Sequence, residues 1–173
     1  MMSLERRAIR MLNRYDAFNE VTGRRCALQN GANMKNDNCI FCKIANGEIP
    51  SRTIYEDEQF RAILDLGPAT KGHALILPKE HFADLFEMPA ELAADAMKLA
   101  KKLAALQQER LGADGLNLVQ NNGEAAGQTV RHFHIHLIPR YEGDGQTIGW
   151  KPGEPGQEEL DQTLRELTAA VQQ

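Results

Sequence analysis

The sequence contains few cysteines, few aromatic residues and no long apolar run. Only three of its 173 residues are cysteine and 6% are aromatic. An odd, small number of cysteines argues against a disulfide framework and favours a reducing compartment. No stretch reaches the roughly 18 apolar residues that a membrane-spanning helix needs, and the first residues lack the apolar centre of a secretory signal. We therefore expect a cytoplasmic protein with no membrane partner.

An excess of positive charge is also lacking. The formal net charge is −4, and residues 1–37 hold seven Lys or Arg against four Asp or Glu, so the remainder carries −7. Proteins that bind a nucleic-acid backbone need the opposite balance, which excludes nucleic acid as an expected partner. A chain of 173 residues with 42% hydrophobic content is long enough for one ordinary core, so we predict one domain.

The first 37 residues differ from the rest. Arginines alternate with apolar residues and are followed by a run of Asn and Gly, which predicts a short amphipathic helix and a linker. Three interpretations remain open: a regulatory or partner-binding arm, an organelle-targeting peptide made poor by Glu5 and Asp16, or an upstream extension before a true start at Met34. We favour the extension. The predicted domain covers residues 38–141, and a tail with a helix covers residues 142–173.

Within the domain, the spacing of apolar and turn residues predicts an α+β fold. A long helix should follow Pro89, because apolar residues then recur at spacings of four and three until Gly112. Strands that follow one another with few helices between them favour an antiparallel sheet with helices on one side. The predicted strands are Thr53–Tyr55, Phe60–Leu64, His73–Leu77, Leu116–Gln120 and Phe133–Ile138, and shorter helices are expected at Ile40–Ala45 and Glu158–Val171.

Three histidines alternate with apolar residues in the last predicted strand. Side chains 133, 135 and 137 should face the core, which places the histidines at 132, 134 and 136 on the opposite surface. The residues alone leave open a metal site, a polar sheet surface, or phosphate ligands with a nucleophile. Gly127, Gln128 and Thr129 lie just before them and offer backbone N–H groups, an amide and a hydroxyl. This donor set suits phosphate oxygens and favours the third interpretation.

The segment from His132 to Ile138 resembles the signature of the histidine triad (HIT) family. The resemblance covers roughly residues 38–141, and further segments occur in the family's order and approximate spacing. They are Cys39-Ile40-Phe41-Cys42-Lys43-Ile44, Asp65-Leu66-Gly67-Pro68, Lys71-Gly72-His73, Pro78-Lys79-Glu80-His81 and Asn121-Asn122-Gly123. The resemblance implies a HIT-like fold, in which an antiparallel five-stranded sheet packs with one long and one short helix.

The same resemblance implies the catalytic roles. His134 is similar to the family's nucleophile, which attacks the α-phosphorus to give a nucleotidyl-histidine that water then hydrolyses. His136, the hydroxyl of Thr129 and the amide of Gln128 are expected to contact the phosphate oxygens and to stabilise the charge that builds up there. His73 corresponds to a fourth histidine that assists near the phosphate.

For the nucleoside, the resemblance implies that the carboxylate of Asp65 accepts hydrogen bonds from both ribose hydroxyls. Asn121 is expected to add a polar contact at the edge of the site, next to the Gly127 loop. The base would lie in an apolar slot formed by Ile40, Phe41, Ile44, Ile63 and Leu66.

A metal is expected beside this site. A C-x-x-C pair is compatible with zinc or with redox chemistry, and the polar linker before Cys39 disfavours the redox alternative, which needs a preceding strand. The positions of Cys39, Cys42, His81 and His132 are similar to those that bind zinc in one branch of the HIT family. The implied zinc is structural, since four protein ligands leave no open position, and the reaction itself requires no cofactor.

The resemblance thus implies an enzyme that hydrolyses purine nucleoside 5′-phosphoramidates to a nucleoside monophosphate and an amine. Two alternatives remain open: a dinucleoside polyphosphate hydrolase of the Ap4A type, and a nucleotide-binding regulatory module. The expected partners are a purine nucleotide or nucleoside phosphoramidate and a second copy of the chain. In this homodimer the two sheets join edge to edge, which covers an open strand edge.

Overall fold

The structure, a computed structural model, describes residues 35–149 and 151–171. The amphipathic helix predicted near the N-terminus lies outside these residues. The described part of the chain contains five strands and three α-helices, named here in chain order. The helices are α1 (Ile40–Ala45), α2 (Ala90–Leu111) and α3 (Gln157–Val171), and a short 3₁₀ helix covers Glu124–Ala126.

The strands form one antiparallel sheet, as the sequence predicted. They are β1 (Thr53–Glu56), β2 (Phe60–Leu64), β3 (Ala74–Pro78), β4 (Gly115–Val119) and β5 (Ile135–Arg140). Their order across the sheet is β1-β2-β3-β5-β4. Strand β5 therefore lies in the interior of the sheet, where β3 and β4 pair with its two edges. Residues at the start of β5 are held from both sides.

The main core lies between one face of the sheet and α2. Pro89 precedes the first turn of α2, and Gly112 ends it in the left-handed conformation at φ 65°, as the sequence predicted. Between these ends, Ala96, Leu99 and Leu103 are buried against the sheet. Leu106, at the next apolar position of the periodic spacing, is 45% exposed, because the buried stripe continues through Gln107 instead.

The opposite face of the sheet carries α1. In β3, Ala74 and Ile76 belong to the core under α2, whereas Leu75 and Leu77 pack in a second cluster with α1. Successive strand residues face opposite sides of a sheet. The helices therefore lie on both sides, and the expectation that they pack on one side was wrong. A short apolar run such as that of β3 predicts a strand buried on both faces. It does not predict which element packs on each face.

The boundaries near the histidines also differ from the prediction. Strand β5 begins at Ile135 instead of Phe133 and continues to Arg140, so His132 and His134 precede it in an irregular segment. Pro78 forms the last residue of β3 instead of ending the strand before it. Phe133, Ile135 and Leu137 are buried as predicted, but so are His132 and His134. These histidines lie inside the molecule and do not line an open surface.

The remaining helix, α3, agrees with the helix predicted near Glu158–Val171. Its leucines at positions 160, 164 and 167 are 47%, 60% and 64% exposed. Among the helices of residues 35–149 and 151–171, none is long and apolar enough to cross a membrane.

Candidate functional site

Two clusters of titratable side chains meet around residues 132–136. The first contains Cys39, Cys42, His81 and His132, whose potential ligand atoms all lie within 4.8 Å of one another. Nδ1 of His132 is 3.5 Å from both sulfur atoms, and Nδ1 of His81 is 3.3 Å from Sγ of Cys42. Zinc bonds of about 2.3 Å to sulfur and 2.0 Å to nitrogen give tetrahedral S···N edges of about 3.5 Å. The cluster has the dimensions of a structural zinc site.

Three separate segments supply these four ligands. Cys39 is the N-cap residue of α1 and Cys42 lies within the helix, so the spacing of three puts both sulfurs on one side. His81 follows β3 and His132 precedes β5. The ring of His132 lies 3.0 Å, through Nε2, from the carbonyl oxygen of Pro78. Because a carbonyl only accepts, Nε2 donates and the Nδ1 lone pair faces the cysteines.

Burial favours the neutral forms of Cys42, His81 and His132. It raises the pKa of the Cys42 thiol to about 11 and lowers the pKa of His132 to about 4. It also lowers the pKa of His81. Neutral imidazoles are the form that binds a metal, whereas the thiols need a cation to favour their thiolates. The donor set therefore fits a divalent cation such as zinc.

His134 belongs to a second cluster on the same side of the sheet as α1. Its side chain is buried, and Nδ1 lies 2.6 Å from the carbonyl oxygen of His132. Since that carbonyl only accepts, the imidazole donates from Nδ1 and carries its lone pair on Nε2. Within the described residues Nε2 has no hydrogen-bond partner. The Phe41 ring contacts His134 edge-on with the ring centroids 5.1 Å apart, and burial lowers the pKa of His134.

His136 and His73 lie beside His134. The rings of His134 and His136 are T-shaped with centroids 5.0 Å apart, and Nδ1 of His136 is 2.9 Å from Nε2 of His73. Asp65 Oδ2 is 3.6 Å from the same His73 atom. Burial, together with the neighbouring His134 and His73, lowers the pKa of His136 to about 4, against an opposing effect of Asp65. The structure brings three predicted catalytic histidines and the predicted ribose ligand into one group.

The loop before the histidines is held by its own hydrogen bonds. Oε1 of Gln128 accepts from Gly123 N–H at 2.8 Å, and Nε2 donates to the carbonyls of Ala83 at 2.6 Å and Val130 at 3.1 Å. The expectation that this amide contacts phosphate is therefore corrected: both amide ends are engaged inside the protein, and the side chain shapes the loop. Gly127 N–H also donates internally, to Glu124 O at 2.9 Å.

Thr129 is the exposed donor of this loop. Within residues 35–149 and 151–171, its hydroxyl and its N–H have no hydrogen-bond partner. Asn121 lies next to the loop, because a Cβ added at Gly127 would be 3.9 Å from Asn121 Nδ2. Of the predicted phosphate donors in the loop, Thr129 is the one with free polar atoms.

The predicted apolar slot divides into two parts. Phe41, Ile44 and Ile63 pack in one cluster under α1, and Phe41 reaches His134 from there. Ile40 is 51% exposed and Leu66 is 84% exposed, so neither is packed into that cluster. Asp65 directly follows β2, and its Oδ1 accepts the N–H of Gly67 at 2.8 Å. That contact fixes the carboxylate and leaves other lone pairs for ligands.

Sequence reasoning missed the backbone groups that orient the rings. These are the carbonyls of Pro78 and His132 and the N–H of Ala69, which donates to His73 Nδ1 at 3.1 Å. Every residue has a carbonyl and nearly every residue an N–H, so the sequence holds no signal that distinguishes these groups.

Comparison with known proteins places this geometry among relatives. The HIT domain profile matches residues 46–143. An adenosine 5′-monophosphoramidase of Saccharomyces cerevisiae is 44% identical over 135 residues, covering 78% of this chain and 83% of that protein.

Solved structures agree with this match. A protein from Streptococcus mutans has a TM-score of 0.76 at 41% identity, covering 84% of this chain and 94% of the other. A Zn-bound histidine triad family protein from Mycobacterium smegmatis has a TM-score of 0.62 at 40% identity, covering 77% of this chain and 97% of the other. The predicted fold is thereby confirmed.

Proposed function

This chain belongs to the HIT-domain family and is a nucleotide hydrolase of that family, and we propose that its substrates are purine nucleoside 5′-phosphoramidates. It cleaves their P–N bond and releases a nucleoside monophosphate and an amine. Relatives named adenosine 5′-monophosphoramidases support this choice of leaving group, one at 44% identity and another at 39%.

The observation that carries the proposal is the orientation of His134. Its Nδ1 donates to the His132 carbonyl at 2.6 Å, which leaves a lone pair on Nε2 at neutral pH. A buried, oriented and neutral imidazole is a good nucleophile toward phosphorus. Its neighbours are the two other histidines and the carboxylate, so a substrate phosphate at Nε2 lies among groups that bind it.

The reaction proceeds in two displacements. Nε2 of His134 attacks the α-phosphorus and a P–N(His) bond forms. The substrate P–N bond breaks as its nitrogen takes up a proton from solvent and leaves as the amine. A water molecule then attacks the same phosphorus, the nucleotidyl-histidine bond breaks, and the water proton is released with the nucleoside monophosphate. His136 and the Thr129 hydroxyl stabilise charge on the phosphoryl oxygens in both steps. His73 acts through its contact with the His136 ring.

Asp65 and the apolar residues hold the nucleoside. We assign the ribose hydroxyls to Asp65 and the base to the side of α1 that exposes Phe41 and Ile44. Ile63 supports that surface from β2, whereas Ile40 and Leu66 close over the base from their exposed positions. Asn121, with the Gly127 turn and the loop that Gln128 holds, forms the edge next to the phosphate.

We further propose one structural zinc ion bound by Cys39, Cys42, His81 and His132. The distances of 3.3 to 3.5 Å between the sulfur and nitrogen atoms support it, as does the Zn-bound relative. When bound, zinc supplies a cross-link between α1 and the segment before β5 and takes no part in bond breaking. The ligands themselves keep α1, with Phe41, next to the nucleophile.

The dimer is proposed on strand β4. Both β1 and β4 are edges of the sheet, but β1 has an irregular register between Thr53 and Tyr55, which disfavours pairing with another strand. Strand β4 is regular and exposes 39% of Leu118. The cytoplasmic location stays a prediction, as does the division of the chain into residues 1–37, 38–141 and 142–173. Removal of residues 1–35 should leave both the dimer mass in light scattering and the turnover unchanged.

A substrate panel tests the proposed activity. The kcat/KM values of adenosine and guanosine phosphoramidates, a dinucleoside polyphosphate and adenylyl sulfate are compared on the same zinc-loaded preparation. We expect the phosphoramidates to exceed the others by at least about 100-fold, which is about 2.7 kcal/mol of transition-state stabilisation. A higher value for the polyphosphate assigns the enzyme to that class, and binding without turnover of any substrate leaves a regulatory module.

A further inference from the structure

The backbone N–H of Ala69 determines which nitrogen of His73 carries the proton. It donates to Nδ1 of His73 at 3.1 Å. A backbone N–H has no lone pair, so Nδ1 must accept and the neutral ring must be protonated on Nε2. The turn that supplies this donor is itself fixed, because His73 N–H donates to Thr70 O at 3.1 Å and Asp65 N–H donates to His73 O at 3.0 Å.

The proton on His73 determines the tautomer of His136 in turn. Nε2 of His73 lies 2.9 Å from Nδ1 of His136, within the range of a good hydrogen bond. Asp65 Oδ2 is farther away, at 3.6 Å, beyond that range. His73 therefore donates to His136, whose Nδ1 accepts, and neutral His136 carries its own proton on Nε2. Burial lowers the pKa of both rings, which favours these neutral forms.

His134 has the opposite tautomer, because its backbone partner has the opposite polarity. Its Nδ1 donates to a carbonyl, so its Nε2 is a bare lone pair. The rings of His134 and His136 are T-shaped with centroids 5.0 Å apart. The two catalytic imidazoles thus differ in what Nε2 offers: a lone pair on one and a proton on the other.

We propose that Ala69 and His73 are positioning residues that fix His136 as an Nε2–H donor beside the Nε2 lone pair of His134. This inference rests on the proposed function, since the donor serves the phosphoryl group that His134 attacks. The N–H points its positive end at oxygens whose negative charge grows in the transition state. In the alternative tautomer, the Nε2 lone pair of His136 repels those oxygens.

The same arrangement excludes a metal from this cluster. Ligand atoms of Asp65, His73 and His136 lie within 4.8 Å of one another, and two histidines with a carboxylate form a common metal-binding set. Metal binding at His73 Nε2 requires a lone pair on that atom. The Ala69 N–H holds the ring in the tautomer with its lone pair on Nδ1 and its proton on Nε2. We therefore expect one zinc per chain in the zinc-loaded protein and no second ion here.

Imidazole ¹⁵N NMR of the zinc-loaded protein without substrate tests the tautomers directly. Long-range ¹H–¹⁵N spectra of histidine-labelled protein at neutral pH distinguish Nδ1–H from Nε2–H forms, and single substitutions assign the rings. We expect Nε2–H for His73 and His136, and Nδ1–H for His134. An Nδ1–H form of His136, or two zinc ions per chain, overturns the inference. The tautomers are measured without substrate, so this test does not depend on turnover. If the tautomers are as expected but the protein does not hydrolyse phosphoramidates, the proposed function is wrong and this inference stands.

A pair of variants at His73 separates positioning from mere packing. In His73→Gln an amide nitrogen takes the place of Nε2 and can still donate to His136, whereas His73→Leu cannot. We expect His73→Gln to keep the Nε2–H form of His136 and to lose less than about tenfold in kcat. His73→Leu should lose about 100-fold in kcat with KM within about threefold, a size typical of a lost proton-donating or charge-stabilising group. Equal losses in both variants, with His136 unchanged in both spectra, overturn the inference.

Variants at Ala69 test the backbone donor itself. Ala69→Pro removes the N–H and leaves His73 in place, while Ala69→Gly keeps the N–H and serves as the control. In Ala69→Pro we expect a mixture of His136 tautomers and a lower kcat. In Ala69→Gly we expect the His136 spectra to match those of the wild type. Amide NMR spectra establish that each variant is folded. A folded Ala69→Pro protein with wild-type tautomers overturns the role of Ala69, and if it does not fold the two His73 variants still decide the outcome.

Discussion

Two clusters on the same face of one sheet contain histidines with opposite chemistry: the proposed metal cluster of Cys39, Cys42, His81 and His132, and the proposed catalytic cluster of Asp65, His73, His134 and His136. In the metal cluster the His132 ring donates outward to the Pro78 carbonyl, so its lone pair points inward to the cysteines. In the catalytic cluster the His73 ring accepts from the Ala69 N–H, so its proton points inward to His136. The polarity of one backbone group determines whether an imidazole binds a cation or donates a proton.

Removal of the nucleophile gives the largest expected effect and separates the clusters. His134→Ala should reduce kcat by about 10⁴-fold or more, because the covalent step is lost. Nucleotide binding should survive, since Asp65 and the apolar residues near α1 are unchanged. The measurements are single-turnover kinetics and calorimetric titration with a nucleoside monophosphate.

Zinc content and adduct formation are the controls for this variant. His134→Ala should still bind one zinc per chain, because its side chain is not a ligand. In the wild type, the reaction is quenched rapidly and the acid-sensitive adduct is located by mass spectrometry. One nucleoside monophosphate should be found on the peptide that contains His134. An adduct on a different residue, or a His134 variant with full turnover, contradicts the mechanism.

Disruption of the metal cluster should affect stability more than catalysis. Cys42→Ser is expected to abolish stoichiometric zinc binding and to lower Tm by about 10 °C. A zinc ion present at about 1,000 times its Kd adds about 4 kcal/mol to the free energy of unfolding, and the variant loses this contribution. The folded variant should keep kcat within about tenfold of the wild type. Elemental analysis and thermal unfolding test this.

A chelator supplies the matched control. It should lower the Tm of the wild type to that of Cys42→Ser and leave the variant unchanged. Full wild-type stability in the zinc-free protein contradicts a structural metal and leaves the two cysteines as packing residues.

Acid should weaken the fold through the catalytic cluster. The pKa of His136 falls from 6.5 to about 4 on folding, chiefly through burial, with His134 and His73 adding repulsion and Asp65 opposing it. Between these pH values the unfolded state binds the extra proton, so stability is complete above pH 6.5 and decreases as the pH falls toward 4. His136→Gln should reduce the slope of the unfolding free energy against pH by the equivalent of up to about one bound proton. Urea unfolding across this range measures the slope, and an unchanged slope contradicts the assignment.

The smallest expected effect concerns the turn that positions His73. Gly72 has φ 89°, and an added Cβ would lie 2.3 Å from Leu111 Cδ1. Gly72→Ala should therefore lower stability by about 2 kcal/mol through backbone strain and crowding. It should also lower kcat a few-fold, with zinc content unchanged. Gly112→Ala is the control, since it has φ 65° and no neighbour within 4 Å. If both variants lose the same stability, crowding by Leu111 contributes nothing.

The sequence was informative where the fold depends on periodicity and turn chemistry. The alternation predicted the burial of Phe133, Ile135 and Leu137, and Pro89 with Gly112 predicted the ends of α2. The HIT resemblance assigned every histidine to a cluster that the structure then assembles. What the pattern did not reveal depends on contacts distant along the chain: α1 on the opposite face of the sheet, the start of β5 at Ile135, and the internal bonding of the Gln128 amide. Partners such as β3 for β5 and Ala83 for the Gln128 amide lie tens of residues away along the chain, and periodicity does not encode them.

His132 belongs to both clusters, since its ring reaches the cysteines while its carbonyl holds the His134 proton. The rate at which that proton exchanges with solvent therefore reports how often the metal cluster opens. Exchange with solvent requires the segment before β5 to open, and local opening has its own free energy. While the ligands are held together, the His134 Nδ1–H should exchange slowly and remain visible far downfield in proton spectra. On removal of zinc the exchange should accelerate, long before the enzyme unfolds.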